Sequence, residues 1–407
     1  MLTIHLLPVL YGDTILINIP KSEKQANTNI LIDCGYNFTS ELLPLLEQFH
    51  ADGKRIDRFI ITHYDDDHIR SAAKFIKDNG SSSSPKIIEI EQVWLNAYRH
   101  LQFDKRDLPP LDDEQEVLLK NFIAVQNSDV ISQESEIGAK QASKLGRELY
   151  SGSYCWNKDF EGKAVCIEHK TEVIIKEGVI CKILGPTKHQ LTALEDEFKK
   201  GLKEMGVKLS DTELIDDAFE LFIKAIAKKD IEGYIGNISG SAVSSITPDI
   251  IQSFVKNTRY KADKAIGNGS SISFVLEADE KKILMLADAH AEPIIKQLNA
   301  TYPDEDVLYF DAIKVGHHGS LGNNPKELYE YIDSPIYLIS TNGGHPSHVH
   351  PDIETVAFII SRPLRGTITS RKIVFNYYPK HLAGIFDKAL MEHFNYTVEV
   401  NNLIELP

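Results

Sequence analysis

Residues 59–68 read FIITHYDDDH, a strand-like apolar run that stops in two histidines and three aspartates. Adjacent carboxylates repel one another, and local packing offers no compensation, so a positive charge is the expected counterpart. His63 and Asp65 are alternate residues, and an extended backbone points both the same way. Asp67 and His68 open the following turn and can face a second point nearby. Imidazole with carboxylate suits Zn²⁺, Fe²⁺ or Mn²⁺, and two such points a few ångströms apart suit a binuclear centre. Asp66 is expected to turn outward and Tyr64 to pack.

The run before the cluster is continuously apolar, as in a strand covered on both faces. IRSAAKFIKDNG after it has helical spacing and a glycine stop. The cluster therefore lies on a strand-to-helix loop, at the carboxyl end of a central strand, where α/β proteins place their sites. Upstream, LTIHLLPVLYGDTILINI reads as two strands broken at Gly12 and Asp13, with Asp13 as a turn residue. NTNILIDCGYN reads as a third strand, and 38–50 as a short amphipathic helix.

The middle of the chain has a different grammar. SSSSP at 81–85 reads as a polar linker, and 97–165 is charged and weakly periodic, with helices expected near 112–126 and 138–150. TEVIIKEGVICKILGP is a hairpin turning at Glu177 and Gly178. Residues 190–230 carry helical apolar spacing with opposed charges at i and i+4, which predicts a solvent-facing helical insertion. The expected organisation is one domain, 1–407, with a charged, partly helical insertion at 91–170. A second insertion, helical, at 189–265 is expected to serve as a lid or a protein-partner segment.

From residue 268 the strand-and-loop pattern returns. NGSSISFVLEADEKKILMLADAH is a hairpin whose second strand ends in Ala287-Asp288. The strands DAIKV and IYLIS run into the loops GHHGS and TNGGHPSHVHPD, with helices expected near 291–299 and 325–332. His317, His318, His345, His348 and His350 thus crowd a short span near the ends of successive strands, far above a uniform scatter. Strand ends carrying Asp and His in succession are expected to converge on one point.

The whole-chain properties limit the partners. A net charge of −15 over 407 residues, with pI near 5.5, argues against non-specific adhesion to nucleic acid or anionic membrane. The apolar N-terminus lacks a basic leader and is interrupted by Pro8, Gly12 and Asp13, and no apolar run reaches membrane-spanning length, so no membrane partner is expected. Cys34, Cys155, Cys166 and Cys181 form no CxxC pair, which fits free thiols in a reducing cytoplasm. Oligomeric state is not legible.

The pattern His-x-Asp-x-Asp-His after an apolar strand, preceded by LIDCG and followed by a distant strand ending in Asp, resembles the metallo-β-lactamase superfamily. Within it the likeness is to the soluble domain of the competence DNA-uptake protein ComEC, through LPVLYGDTILI, the Asp65 variant of the motif, NGSSISFVL with ILMLADA, and IKVGHHGS with ISTNGGHPSHVHP. The resemblance implies a four-layered αββα sandwich with two divalent ions, Zn or Mn, at one edge. It implies that His63 and Asp65 hold one ion, Asp67 and His68 the other, and Asp288 both. One histidine of GHHGS would complete the set, His318 by preference, while His317 or the late His345 would serve the leaving group. Asp33 would orient a ligand without touching metal. Most superfamily members carry a ligand histidine after the hairpin near 185, where this chain offers only His189. The implied activity is hydrolysis by a metal-activated hydroxide, of a phosphodiester in DNA or RNA. Alternatives are a small ester, lactone or nucleotide substrate, or an effector recruited through residues 189–265.

Overall fold

In the strand Thr28–Ile32 all five residues are buried, although successive side chains leave a strand on opposite faces. Both faces of its sheet must therefore be covered. The computed structural model describes residues 1–101, 103, 110–131, 144–208, 210, 213–233, 246–345 and 349–406, and shows how. The first part runs β1 (Leu2–Leu6), β2 (Ile15–Ile19), β3 (Thr28–Ile32), α1 (Leu43–Ala51), β4 (Arg58–Ile60), α2 (Asp66–Ile69), α3 (Ala72–Asn79) and β5 (Val93–Trp94). Then come α4 (Tyr98–Leu101), α5 (Asp113–Ile131), α6 (Leu145–Ser151), the hairpin β6 (Glu172–Lys176) and β7 (Val179–Gly185), α7 (Lys188–Glu204), α8 (Glu213–Gly233), α9 (Pro248–Asn257) and α10 (Ile266–Gly269). The last part is β8 (Ser273–Ala278), β9 (Lys281–Met285), α11 (Ala291–Thr301), β10 (Ala312–Lys314), α12 (Lys326–Tyr331), β11 (Ile336–Ile339), α13 (Ile353–Ile360), β12 (Arg371–Phe375), α14 (Lys388–Phe394), β13 (Tyr396–Val400) and β14 (Leu403–Leu406).

The strands form a six-stranded sheet, ordered β14-β1-β2-β3-β4-β5, and an eight-stranded sheet, ordered β13-β12-β11-β10-β9-β8-β7-β6. Ile17 pairs with Ile30 and Ile15 with Ile32 across β2 and β3, which aligns their inward faces. Those residues, with Ile60 and Trp94, pack on Ile183, Phe274, Leu276, Met285 and Leu338 of the second sheet, forming the layer between the sheets. The alternate residues Leu16, Leu31 and Phe59 face outward onto Leu46, Phe75 and Ile76 of α1 and α3. On the far side, Val275, Leu284, Ile313 and Tyr337 meet Ile294, Leu298, Leu328 and Val356 of the C-terminal helices. Three apolar layers separated by two sheets make the αββα sandwich that the sequence led us to expect.

The middle of the chain departs from expectation in two places. The helices α7 and α8 are not solvent-facing: Leu194, Phe198, Ile215, Phe219 and Ile223 are buried within the cluster over the first sheet, and the Phe198 and Phe219 rings meet edge-on at 5.1 Å. Their opposed charges are real, as in Lys199–Glu195 at 2.6 Å. On α8, however, Asp216, Asp217 and Glu220 are buried rather than solvated. SSSSP is no open linker either, since Gly80–Ser81 and Ser84–Pro85 pair as a minimal antiparallel ladder. Of the helix expected at 138–150, the part up to 143 lies outside the described residues, as do 234–245 of the second insertion and His348. Among the described residues no helix is long and apolar enough to cross a membrane.

Candidate metal centre

Four strand ends meet at one edge of the sandwich. β4 continues through Thr62 into His63, β9 through Leu286 into Asp288, β10 through Val315 into His317 and His318, and β11 ends at Ser340. Parallel pairing of β9, β10 and β11 puts three of these exits side by side. The backbone there is strained: Asp33, Ala287, His317 and His318 have φ of +58, +47, +42 and +52°, conformations that cost an L-residue roughly 1–2 kcal/mol each.

Asp288 is the hub. Its Oδ2 lies 3.8 Å from His63 Nε2, 3.4 Å from His68 Nε2, 3.5 Å from His317 Nε2 and 4.0 Å from His318 Nε2. Asp65 Oδ2 stands 3.7 Å from His63 Nε2. Asp67 Oδ2 lies 3.0 Å from His318 Nε2 and 3.6 Å from His68 Nε2. Two sets of three, His63-His68-Asp288 and Asp67-His68-His318, bring their donor atoms within 4.8 Å of one another. A third set, Asp13-Asp33-His68, meets the same limit, but two of its members are already joined by the His68 Nδ1–Asp33 hydrogen bond at 2.8 Å.

Each imidazole is fixed through its other nitrogen. Thr62 Oγ1 donates its proton to Asp33 Oδ2 at 2.8 Å and so is left to accept from His63 Nδ1 at 3.0 Å. Asp33 also accepts the Thr62 N–H at 2.7 Å and takes His68 Nδ1–H, so one carboxylate sets two rings. His318 Nδ1–H donates to the Ser340 carbonyl at 2.7 Å, and His317 Nδ1–H to Asn323 Oδ1 at 2.8 Å. These bonds occupy each Nδ1 and turn every Nε2 toward the cluster.

Buried polar atoms are normally satisfied, yet His63 Nε2, His68 Nε2, Asp65 Oδ1 and Asp288 Oδ1 have no hydrogen-bond partner among the described residues. This nitrogen and oxygen set fits divalent cations. The electrostatics agree. Burial opposes the charged form of Asp288, but His317, His68 and His318 outweigh it and hold its carboxyl well below the usual range. Burial likewise works against a charged His68, yet Asp288, Asp67 and Asp33 push its pKa well above that of a free imidazole.

The loop carrying Asp67 is clamped by backbone. Its carbonyl oxygen accepts the Asp13 N–H at 3.1 Å, and His68 O accepts the Cys34 N–H at 2.8 Å. A Cβ added at Gly12 or Gly35 would stand 2.0 or 2.2 Å from that Asp67 oxygen, so both positions need glycine. Gly267 leaves similar room for Asp65, whose Oδ1 would lie 3.2 Å from an added Cβ.

All of His63, Asp65, Asp67, His68, Asp288, His317 and His318 thus come together, with Asp33 beneath them. His345 stands at the rim, half-buried and edge-on to Tyr11 at 4.8 Å, outside the close sets. His189 is exposed on α7 and takes no part in these sets. Tyr64 packs edge-on against Phe219 at 5.5 Å.

Residues 8–110 match the metallo-beta-lactamase superfamily model. That span contains His63, Asp65, Asp67, His68 and Asp33, and the second sheet supplies Asp288 and the histidine pair outside it. No curated protein matches the chain. The sandwich is metallo-β-lactamase-like, and the match suggests a metal-dependent hydrolase.

Sequence reasoning missed several supports. Asp13 is not merely a turn residue: it is buried, 2.8 Å from Lys314 Nζ and 3.6 Å from His318 Nδ1. Asp263 and Asn268 flank His317, with Asn268 Nδ2 donating to Asp263 at 2.7 Å. His350, in the loop after β11, is buried, 3.5 Å from Asp352 and with its ring 5.4 Å from that of His317. Asp13 and His350 lie in loops that follow a strand, whereas Asp263 and Asn268 lie between α9 and β8, where no strand end points to them.

Proposed function

We propose that this chain is a metal-dependent phosphodiesterase or nuclease with a two-cation centre taking Zn²⁺ or Mn²⁺. What carries the proposal is the hub geometry: four oriented Nε2 atoms facing one buried carboxylate, with donor atoms left unsatisfied. His63 and Asp65 would hold one cation, Asp67, His68 and His318 the other, and Asp288 both. Bound there, the cations supply Lewis-acid polarisation of a substrate oxygen and lower the pKa of a water toward neutrality. Two carboxylates in the motif favour harder ions such as Mn²⁺.

The chain's own residues do the rest. Asp33, Thr62, Ser340 and Asn323 hold the rings in one orientation, so no reorganisation is needed when substrate arrives. His317 has burial set against its charge, but Asp288 and Asp263 raise its pKa, so it can carry a proton at Nε2 toward a leaving oxygen. His345, at the rim, is placed to meet the outer part of a substrate.

The phosphodiester assignment is supported by the competence-type likeness of the four stretches quoted above. The net charge of −15 favours a second reading, a small ester, lactone or nucleotide, over a long polyanion. Free thiols at all four cysteines suit a cytoplasmic protein. The deciding experiment incubates protein reconstituted with Mn²⁺ or Zn²⁺ with linear DNA, RNA, a generic phosphodiester, a small ester and a lactone, beside Asp67→Ala and Asp288→Ala. Cleavage by wild type alone is expected. Hydrolysis of esters or lactones only would select the second reading, and identical behaviour of all three proteins on every substrate would refute an enzyme.

A further inference from the structure

Asp66, between two proposed ligands, turns away from the imidazoles and into the helical insertion. Its Oδ1 lies 3.4 Å from Lys224 Nζ on α8, and its Oδ2 lies 3.4 Å from Arg70. Lys224 is shared with Glu220 at 3.2 Å, and the other oxygen of Glu220 accepts the Leu145 N–H at 3.0 Å, at the start of α6. One line of polar contacts therefore runs from the first insertion through α8 to the motif loop.

Pure stability does not explain a lysine here. Its side chain is 18% exposed and the Glu220 side chain 4%, and a partly desolvated ion pair stabilises no better than an apolar contact of the same volume. What the pair does supply is direction. Asp66 opens the four-residue turn α2, so fixing its carboxylate fixes the peptide units on either side, those of Asp65 and Asp67. The opposite side of the same loop is held by Asp13 and Cys34 through backbone bonds. The loop is gripped from both sides, by the β1–β2 turn and by α8.

We infer that Lys224 is a positioning residue of the metal centre: through Asp66, the helical insertion sets where the Asp65 and Asp67 carboxylates stand. This rests on the metal reading above. It gives the insertion an inward task.

The test is Mn²⁺ affinity by titration calorimetry on the full chain, with a melting curve for each variant. Lys224→Met is expected to bind at least about tenfold more weakly, the usual cost of losing an outer partner of a ligand. Asp66→Asn keeps the size of the side chain and is expected to show the same loss if Lys224→Met does not fold. Lys224→Arg, which keeps the charge and reach, is expected to recover most of the affinity. Arg99→Met, which removes a different ion pair of α8, is expected to melt earlier with its affinity unchanged. Wild-type affinity in both Lys224→Met and Asp66→Asn, whatever their melting points, would overturn the inference. Absence of Mn²⁺ and Zn²⁺ binding by wild type would instead bring down the metal centre itself.

Discussion

The motif loop and helix α8 both crowd carboxylates, and they resolve the crowding in opposite ways. On α8, Asp216 faces the guanidinium of Arg99, Asp217 that of Arg147, and Glu220 the ammonium of Lys224. In the loop, Asp65 and Asp67, joined by Asp288, face imidazole nitrogens instead. A carboxylate whose cation comes from the chain holds the chain together. One whose neighbours are oriented imidazoles is arranged for a charge from outside. Density of acid alone therefore says nothing about function, and the identity of the counter-charge decides it.

The sharpest way to break this contrast is to remove the hub. Asp288→Asn keeps the shape of the residue and withdraws the charge that four imidazoles share. Cation affinity is expected to fall by about a hundredfold or more, and hydrolysis with it, since the ligand itself is lost rather than its support. Calorimetry with Mn²⁺ and Zn²⁺ measures this. In a bare centre the same change also removes the main partner of His68 and His317, so the cation-free protein should melt earlier than wild type.

On α8 the opposite outcome is expected. Arg99→Met takes from the buried Asp216 a guanidinium whose Nε donates at 2.7 Å. Removing one partner of a buried pair costs roughly 3 kcal/mol, read as a lower urea midpoint with the Mn²⁺ affinity of wild type. A fall in affinity comparable to that of Asp288→Asn would erase the distinction between the two regions.

Gly35→Ala lies between these cases. The added methyl would meet the Asp67 carbonyl oxygen at 2.2 Å, and because that oxygen belongs to the ligand loop, overpacking should lower stability by about 2 kcal/mol and weaken cation binding together. Loss of stability alone would show that the loop can shift without disturbing Asp67.

What could be read in the sequence follows the same division. His63, Asp65, Asp67 and His68 lie within one six-residue stretch, and Asp288 and the histidine pair follow apolar strands, so their convergence needed only the α/β rule that sites gather at strand ends. The two sheets were legible because apolar runs such as RFIIT and ILML admit no exposed face. Thr62, Asn323 and Ser340 were not legible: any oxygen within reach can hold an imidazole Nδ1, so such partners carry no residue signature. The burial of α8 escaped notice because two of its cations, Arg99 and Arg147, come from elsewhere in the chain, with Arg99 and Asp216 separated by 117 positions. Opposed charges at i and i+4 look the same on a wet helix and on one folded inward.

The smallest expected effect contrasts two histidines. His68 is surrounded by carboxylates, whereas His100 is buried beside Arg99 with its ring against Trp156, and Nδ1 accepts the Ala97 N–H at 3.1 Å. Burial, with Arg99 adding to it, pulls the His100 pKa down to about 3. Between that value and the unfolded value of about 6.5, the unfolded chain binds the extra proton, so stability rises with pH across this window and is lost as pH falls below about 6.5. From pH 8 to pH 5.5 the loss due to His100 should be about 1.4 kcal/mol. Urea unfolding of the cation-free protein at the two pH values, for wild type and His100→Gln, isolates it as the difference between their pH slopes. Equal slopes would mean that His100 titrates in the fold as it does in the open chain, and the burial argument for that wall of the insertion would fail.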